Sequence, residues 1–146
     1  MPICLDASVA VKLITWEEHS RLARRLFDQA LDSADVVVAP DLLSYEIASA
    51  LWQKVRRGAV DAPTGNDAML VFRALPIQYL SAEDLALPAW DAARTLAIPS
   101  MYDAHYLAAS QLTGAPLWTA DRRLANTAAD WSGELRLLGR DAPDHV

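Results

Sequence analysis

Short apolar or β-branched runs recur between longer segments with helical periodicity, and this alternation constrains the fold more than any other feature of the 146-residue sequence. Strands that are apolar on both faces need helices on both faces, so the pattern specifies an α/β domain with a mainly parallel sheet of about five strands. The expected strands are Ile3 to Asp6, Val36 to Ala39, Ile77 to Leu80, Leu117 to Thr119 and Leu135 to Leu138. Helices are expected over Ser8 to Leu13, Glu17 to Leu31, Asp41 to Arg57, Asp61 to Leu75, Glu83 to Leu96 and Met101 to Leu112, with a short one after Asp121. The helix after Pro40 has the clearest limits: Asp41 suits its positive end, Arg56 and Arg57 its negative end, and Gly58 stops it. No linker or repeat divides the chain, so residues 1–140 are expected to form one domain and 141–146 a flexible tail.

Hydrophobic residues make up 53% and charged ones 22%, a composition that folds. Met1 to Ile14 is interrupted by Asp6 and has no basic lead, so no secretory signal is expected, and no uncharged apolar run is long enough for a membrane span. A cytoplasmic protein without membrane attachment is expected. Cys4 has no partner in the chain and reads as a buried strand residue. The net charge of -6 argues against a broad basic face that grips duplex phosphates. It is compatible with a site that concentrates carboxylates around divalent cations.

Asp6 and Asp121 each close an expected strand, at the edge where parallel sheets bind ligands. Each could equally cap the helix that follows. Glu46 shares a helical stripe with Leu42, Leu43, Ile47, Ala50 and Leu51, so its carboxylate is expected beside the buried face, where it needs a partner. Alternatively it reaches water at the stripe's edge or pairs with an arginine. Asp103 opens a helix that is apolar almost all round, but with Ser100 it also has capping-box spacing. Delivered to one end of a sheet, the four acids make a hard oxygen site suited to Mg²⁺ or Mn²⁺. No Ser-His-Asp or Cys-His arrangement competes with it, and His105 reads as a packed or surface residue.

Four stretches together resemble the PIN-domain nucleases, and within them the VapC-like toxins of bacterial toxin-antitoxin pairs. They are Leu5-Asp6-Ala7-Ser8-Val9-Ala10-Val11-Lys12, Glu46-Ile47-Ala48-Ser49-Ala50-Leu51, Tyr102-Asp103-Ala104-His105-Tyr106-Leu107-Ala108-Ala109 and Leu117-Trp118-Thr119-Ala120-Asp121-Arg122-Arg123-Leu124. The resemblance implies a three-layer α/β/α domain and an Mg²⁺-dependent endoribonuclease, with Mn²⁺ as substitute. It makes Asp6, Glu46, Asp103 and Asp121 the catalytic acids, with the metal held by Asp6, Asp103 and Asp121 and with Ser8 and Thr119 orienting them. Asn126 stands where some relatives offer a further polar or acidic group. The resemblance further implies a homodimer and a cognate VapB-like antitoxin. Lys12, Arg122 and Arg123, with Arg56 and Arg57, are candidates for holding RNA phosphates or else solvated surface cations. Trp16, Tyr102 or Trp118 are candidates for stacking an unpaired base, the alternative for the tryptophans being core or interface packing. Two other readings are an inactive PIN-fold module that binds RNA or protein, and an acidic-site phosphoryl-transfer domain. The second lacks a tandem Asp pair and a glycine-rich phosphate loop.

Overall fold

The structure is a computed structural model and describes residues 1–141. Every residue of β1 (Ile3–Leu5), β2 (Val37–Pro40) and β4 (Leu117–Thr119) is buried, as strands sandwiched between two helical layers must be. With β3 (Ile77–Leu80) and β5 (Leu135–Leu137) at the edges, they form one parallel sheet in the order β3-β2-β1-β4-β5. Alternation along the strands divides the core. Ile3, Leu5, Val37 and Trp118 pack with Val9 of α1 (Ala7–Ile14) and with Ala23, Phe27 and Ala30 of α2 (Ser20–Asp32). Cys4, Val38 and Leu117 face the other way, onto α3 (Leu42–Arg56), α4 (Ala62–Ala74), α5 (Ala82–Leu96) and α6 (Met101–Thr113). A short α7 (Arg122–Thr127) follows β4. The architecture is thus the expected α/β/α sandwich, and Cys4 is the expected buried strand residue.

From β1 the chain builds outward through β2 and β3, then returns to add β4 and β5 on the other side. The order reverses between β1 and β4, where Cys4 pairs with Leu117 and Leu5 with Trp118. Beyond the carboxyl ends of those two strands the diverging connections leave a crevice.

Element bounds shift from expectation by a residue or two at most ends, with one informative exception. Helix α2 starts at Ser20 rather than Glu17, because Glu17 is held between Lys12 and Lys54, both at 3.1 Å, and His19 takes a left-handed backbone. Asp41 stands at the start of α3 without capping it, and its carboxylate instead accepts a bond from the Ala82 N–H that opens α5. Of the expected tail, Asp141 accepts a bond from the Leu137 N–H at 2.7 Å, and residues 142–146 lie outside the described residues. Among the described residues no helix is long and apolar enough to cross a membrane.

Candidate active site

Asp6 is the first residue past β1 and only 5% exposed. Its Oδ1 caps α1 by accepting the Val9 N–H at 3.1 Å, and also accepts the Ser8 hydroxyl at 2.5 Å. Its Oδ2 accepts the Thr119 hydroxyl at 2.5 Å. Each hydroxyl in turn accepts a backbone amide from the chain leaving β4, Ala120 onto Ser8 at 2.8 Å and Asp121 onto Thr119 at 3.0 Å. The two small hydroxyl residues thereby hold Asp6 to the exit of the neighbouring strand. Burial pushes the Asp6 carboxyl up to about 6, an effect these three bonds oppose and the charge of Asp121 reinforces.

Asp121 caps α7 through Oδ1, which accepts the Arg123 and Leu124 amides at 2.9 and 3.4 Å. Capping and a second role therefore coexist, since Oδ2 is left facing Arg123. Asp103, in the first turn of α6, does not complete a capping box: Ser100 makes no side-chain cap bond, and the Asp103 carboxylate meets Arg123 instead. One guanidinium nitrogen of Arg123 lies 3.1 Å from Asp121 and 3.4 Å from Asp103. The Asp103 carboxyl is raised, by burial first and by Asp121, against the pull of Arg123.

Glu46 projects from the second turn of α3, half-buried, and among the described residues its side-chain partner is a tyrosine rather than an arginine. The Tyr106 hydroxyl donates to its Oε1 at 2.6 Å. Tyr106 is 1% exposed and reaches Glu46 from α6, so both helices fix the position of this carboxylate. Burial raises the Glu46 carboxyl and the charge of Asp103 adds to it, while the Tyr106 bond pulls the other way. Tyr106 is the residue that reasoning from sequence passes over. Its signal is three-residue spacing from Asp103 on one helix, which puts both on the same face.

Four acids from four elements thus gather at the crevice, and the carboxyls of Asp6, Glu46 and Asp103 are raised. Among the described residues no three acidic, histidine or cysteine side chains converge on one point at ligating distance. Arg123 occupies the space between Asp103 and Asp121. The donor set nonetheless fits a hard divalent cation: it is all oxygen, its members repel one another, and the cation now answering them is a 62% exposed arginine.

The other expected contacts divide. Arg122 and Asn126 are exposed on α7, while Arg56 and Arg57 are exposed about 15 Å along α3 from Glu46. Lys12 is largely buried, bound to Glu17 at 3.1 Å and to the Glu18 carbonyl at 2.9 Å. Trp118 is 3% exposed and packs in the core, which removes it as a stacking platform for RNA. Trp16 and Tyr102 are exposed. His105 lies 2.5 Å through Nδ1 from the Met101 carbonyl of its own helix, so Nδ1 carries the proton there.

With the acids placed around the switch point, residues 3–130 also match the PIN domain family. The chain belongs to the PIN-domain family. This PIN domain is 31% identical to ribonuclease VapC3 of Pyrobaculum aerophilum over 129 residues, covering 86% of the chain and 93% of that relative. It is 30% identical to ribonuclease VapC9 of Mycobacterium tuberculosis over 125 residues, covering 86% and 90%. The fold is shared with VapBC2 from Rickettsia felis, solved bound to a DNA fragment from its promoter, at a TM-score of 0.71 and 10% identity over 94% of this chain and 98% of that one. A toxin-antitoxin complex from Klebsiella pneumoniae matches at a TM-score of 0.57 and 17% identity, over 92% and 95%.

Proposed function

We propose that this PIN domain is a divalent-metal-dependent endoribonuclease, the toxin of a toxin-antitoxin pair. The observation that carries the proposal is the placement of Asp6, Glu46, Asp103 and Asp121 around the crevice between β1 and β4, with Asp6 fixed from both strands. The relatives named as ribonucleases align over most of their length, and two neighbours in fold come from toxin-antitoxin complexes. Those likenesses support RNA as substrate and a VapB-like antitoxin as partner; the proposal adds a homodimer as the working assembly and the cytoplasm as its location.

Asp6, Asp103 and Asp121 would hold Mg²⁺, with Mn²⁺ acceptable to the same oxygen donors. The bound cation would supply Lewis acidity toward the phosphodiester and a lowered pKa for an attacking water. The chain's own part is positional. Ser8 and Thr119 donate to both oxygens of Asp6 and keep it an acceptor with fixed orientation. Tyr106 occupies one oxygen of Glu46, which leaves the other to accept a proton or align the water. Arg123 has to leave Asp103 and Asp121 for a metal to take its place, and its length and exposure let it turn to a flanking phosphate. No side chain need act as covalent nucleophile.

Expression of the chain without its antitoxin, followed by sequencing of cellular RNA ends, tests this reading. Growth arrest with new ends at defined sites is expected from the parent, and neither from Asp6→Asn. Arrest without new ends, or arrest by both proteins, would overturn it.

A further inference from the structure

A cleft of about 540 Å³ opens beside the acids, between α1, α3 and the start of α6. Ala7, Ser8, Val11 and Ala50 form small uncharged parts of its walls, and among the described residues Glu46 is the one acidic or basic side chain in its lining. Tyr45 and Tyr102 also line it, 77% and 61% exposed. Each tyrosine immediately precedes a candidate catalytic acid in sequence, Tyr45 before Glu46 and Tyr102 before Asp103. The helices that fix the two acids therefore also fix the two rings, about 100° round each helix from its acid.

We infer that this cleft receives one unpaired nucleobase of the RNA, stacked on Tyr45 or Tyr102, next to the bond that is cut. The inference rests on the ribonuclease reading. A phosphate is a poor occupant, because among the described residues the lining holds a carboxyl group and no cation. A planar uncharged base matches what is there: aromatic faces for stacking, apolar walls, and Ser49 and Gln53 able to bond its edges. Continuity with the acids ties the cleft to substrate, since Glu46 lines it and Ser8 also bonds Asp6. Recognition of a base here would make the nuclease selective for unpaired RNA without a broad basic surface, in keeping with the net charge of -6.

A binding cycle tests the inference, using the full chain in Ca²⁺ and a short fluorescent single-stranded RNA, intact or with one base at a time removed. The Tyr45→Ala, Tyr102→Ala double variant is expected to bind intact RNA at least about five-fold more weakly, the least that one stacked base confers. Removing one particular base should weaken the parent similarly and the double variant no further, and Tyr→Phe at both positions should restore binding. Equal affinity of parent and double variant, or losses that simply add, would overturn the inference. So would a shift of the double variant from dimer to monomer with RNA affinity unchanged, which would assign the cleft to a second copy of the chain. Cleavage of RNA by the parent in Mg²⁺ is scored separately. Coupled binding without cleavage would sink the ribonuclease reading and keep the base site, and cleavage without coupling would do the reverse.

Discussion

Asp6 carries its charge where burial opposes it, and that opposition has a measurable sign. With its carboxyl raised from 3.8 to about 6, the folded protein keeps a proton between those pH values that the unfolded chain has released. Stability of the metal-free protein should therefore be greatest with Asp6 protonated, fall as pH rises through that window, and stay low above it. Urea denaturation in EDTA from about pH 4 to about pH 8 should show this component in the parent and lose it in Asp6→Asn. The variant should gain up to about 3 kcal/mol at the upper end, with RNA cleavage abolished. A variant less stable than the parent there would mean that the bonds from Ser8 and Thr119 outweigh the cost of burial. Thr119→Val removes a donor to Asp6 and the acceptor of the Asp121 amide together. We expect it to lose about 1–3 kcal/mol by the same measurement.

Helix α6 does more than deliver Asp103, because its Tyr106 bridges to Glu46 on α3. Tyr106→Phe keeps the ring that fills the core and deletes only the hydroxyl. Its stability should change by no more than about 1.5 kcal/mol, while kcat falls and KM is little altered, because Glu46 loses its orientation. Where α3 meets α4 the contact is tight: a Cβ on Gly65 would come within 2.8 Å of Val55 Cγ2. Gly65→Ala should accordingly lower thermal stability by about 1–3 kcal/mol without acting on the chemistry. Much of this layer is legible in sequence. The strands Ile77–Leu80 and Leu117–Thr119 coincide with their apolar runs, and the stripe around Glu46 correctly places a carboxylate at the buried face. What escapes is long-range. Glu17 leaves its helix for two lysines, one of them 37 residues away, and Asp41 turns to Ala82, 41 residues away. Local periodicity carries no record of partners that only the fold brings together.

At the scale of the molecule, one topological fact organises the rest. Reversal of strand order between β1 and β4 opens a crevice, and chain segments leaving β1, β2 and β4, together with the start of α6, bring their acids to it. Each acid alone has a modest structural use, and Asp6 and Asp121 do cap helices. On the proposed reading their gathering would serve a divalent cation, and Arg123 stands between two of them in the metal-free protein. The most direct test is cleavage of single-stranded RNA by the purified, antitoxin-free chain across an Mg²⁺ titration, beside Asp103→Asn. The account predicts no cleavage in EDTA, saturable cleavage with added Mg²⁺ or Mn²⁺, and a loss of at least about 100-fold in the variant. Cleavage that persists in EDTA, or an Asp103→Asn protein as active as the parent, would contradict it.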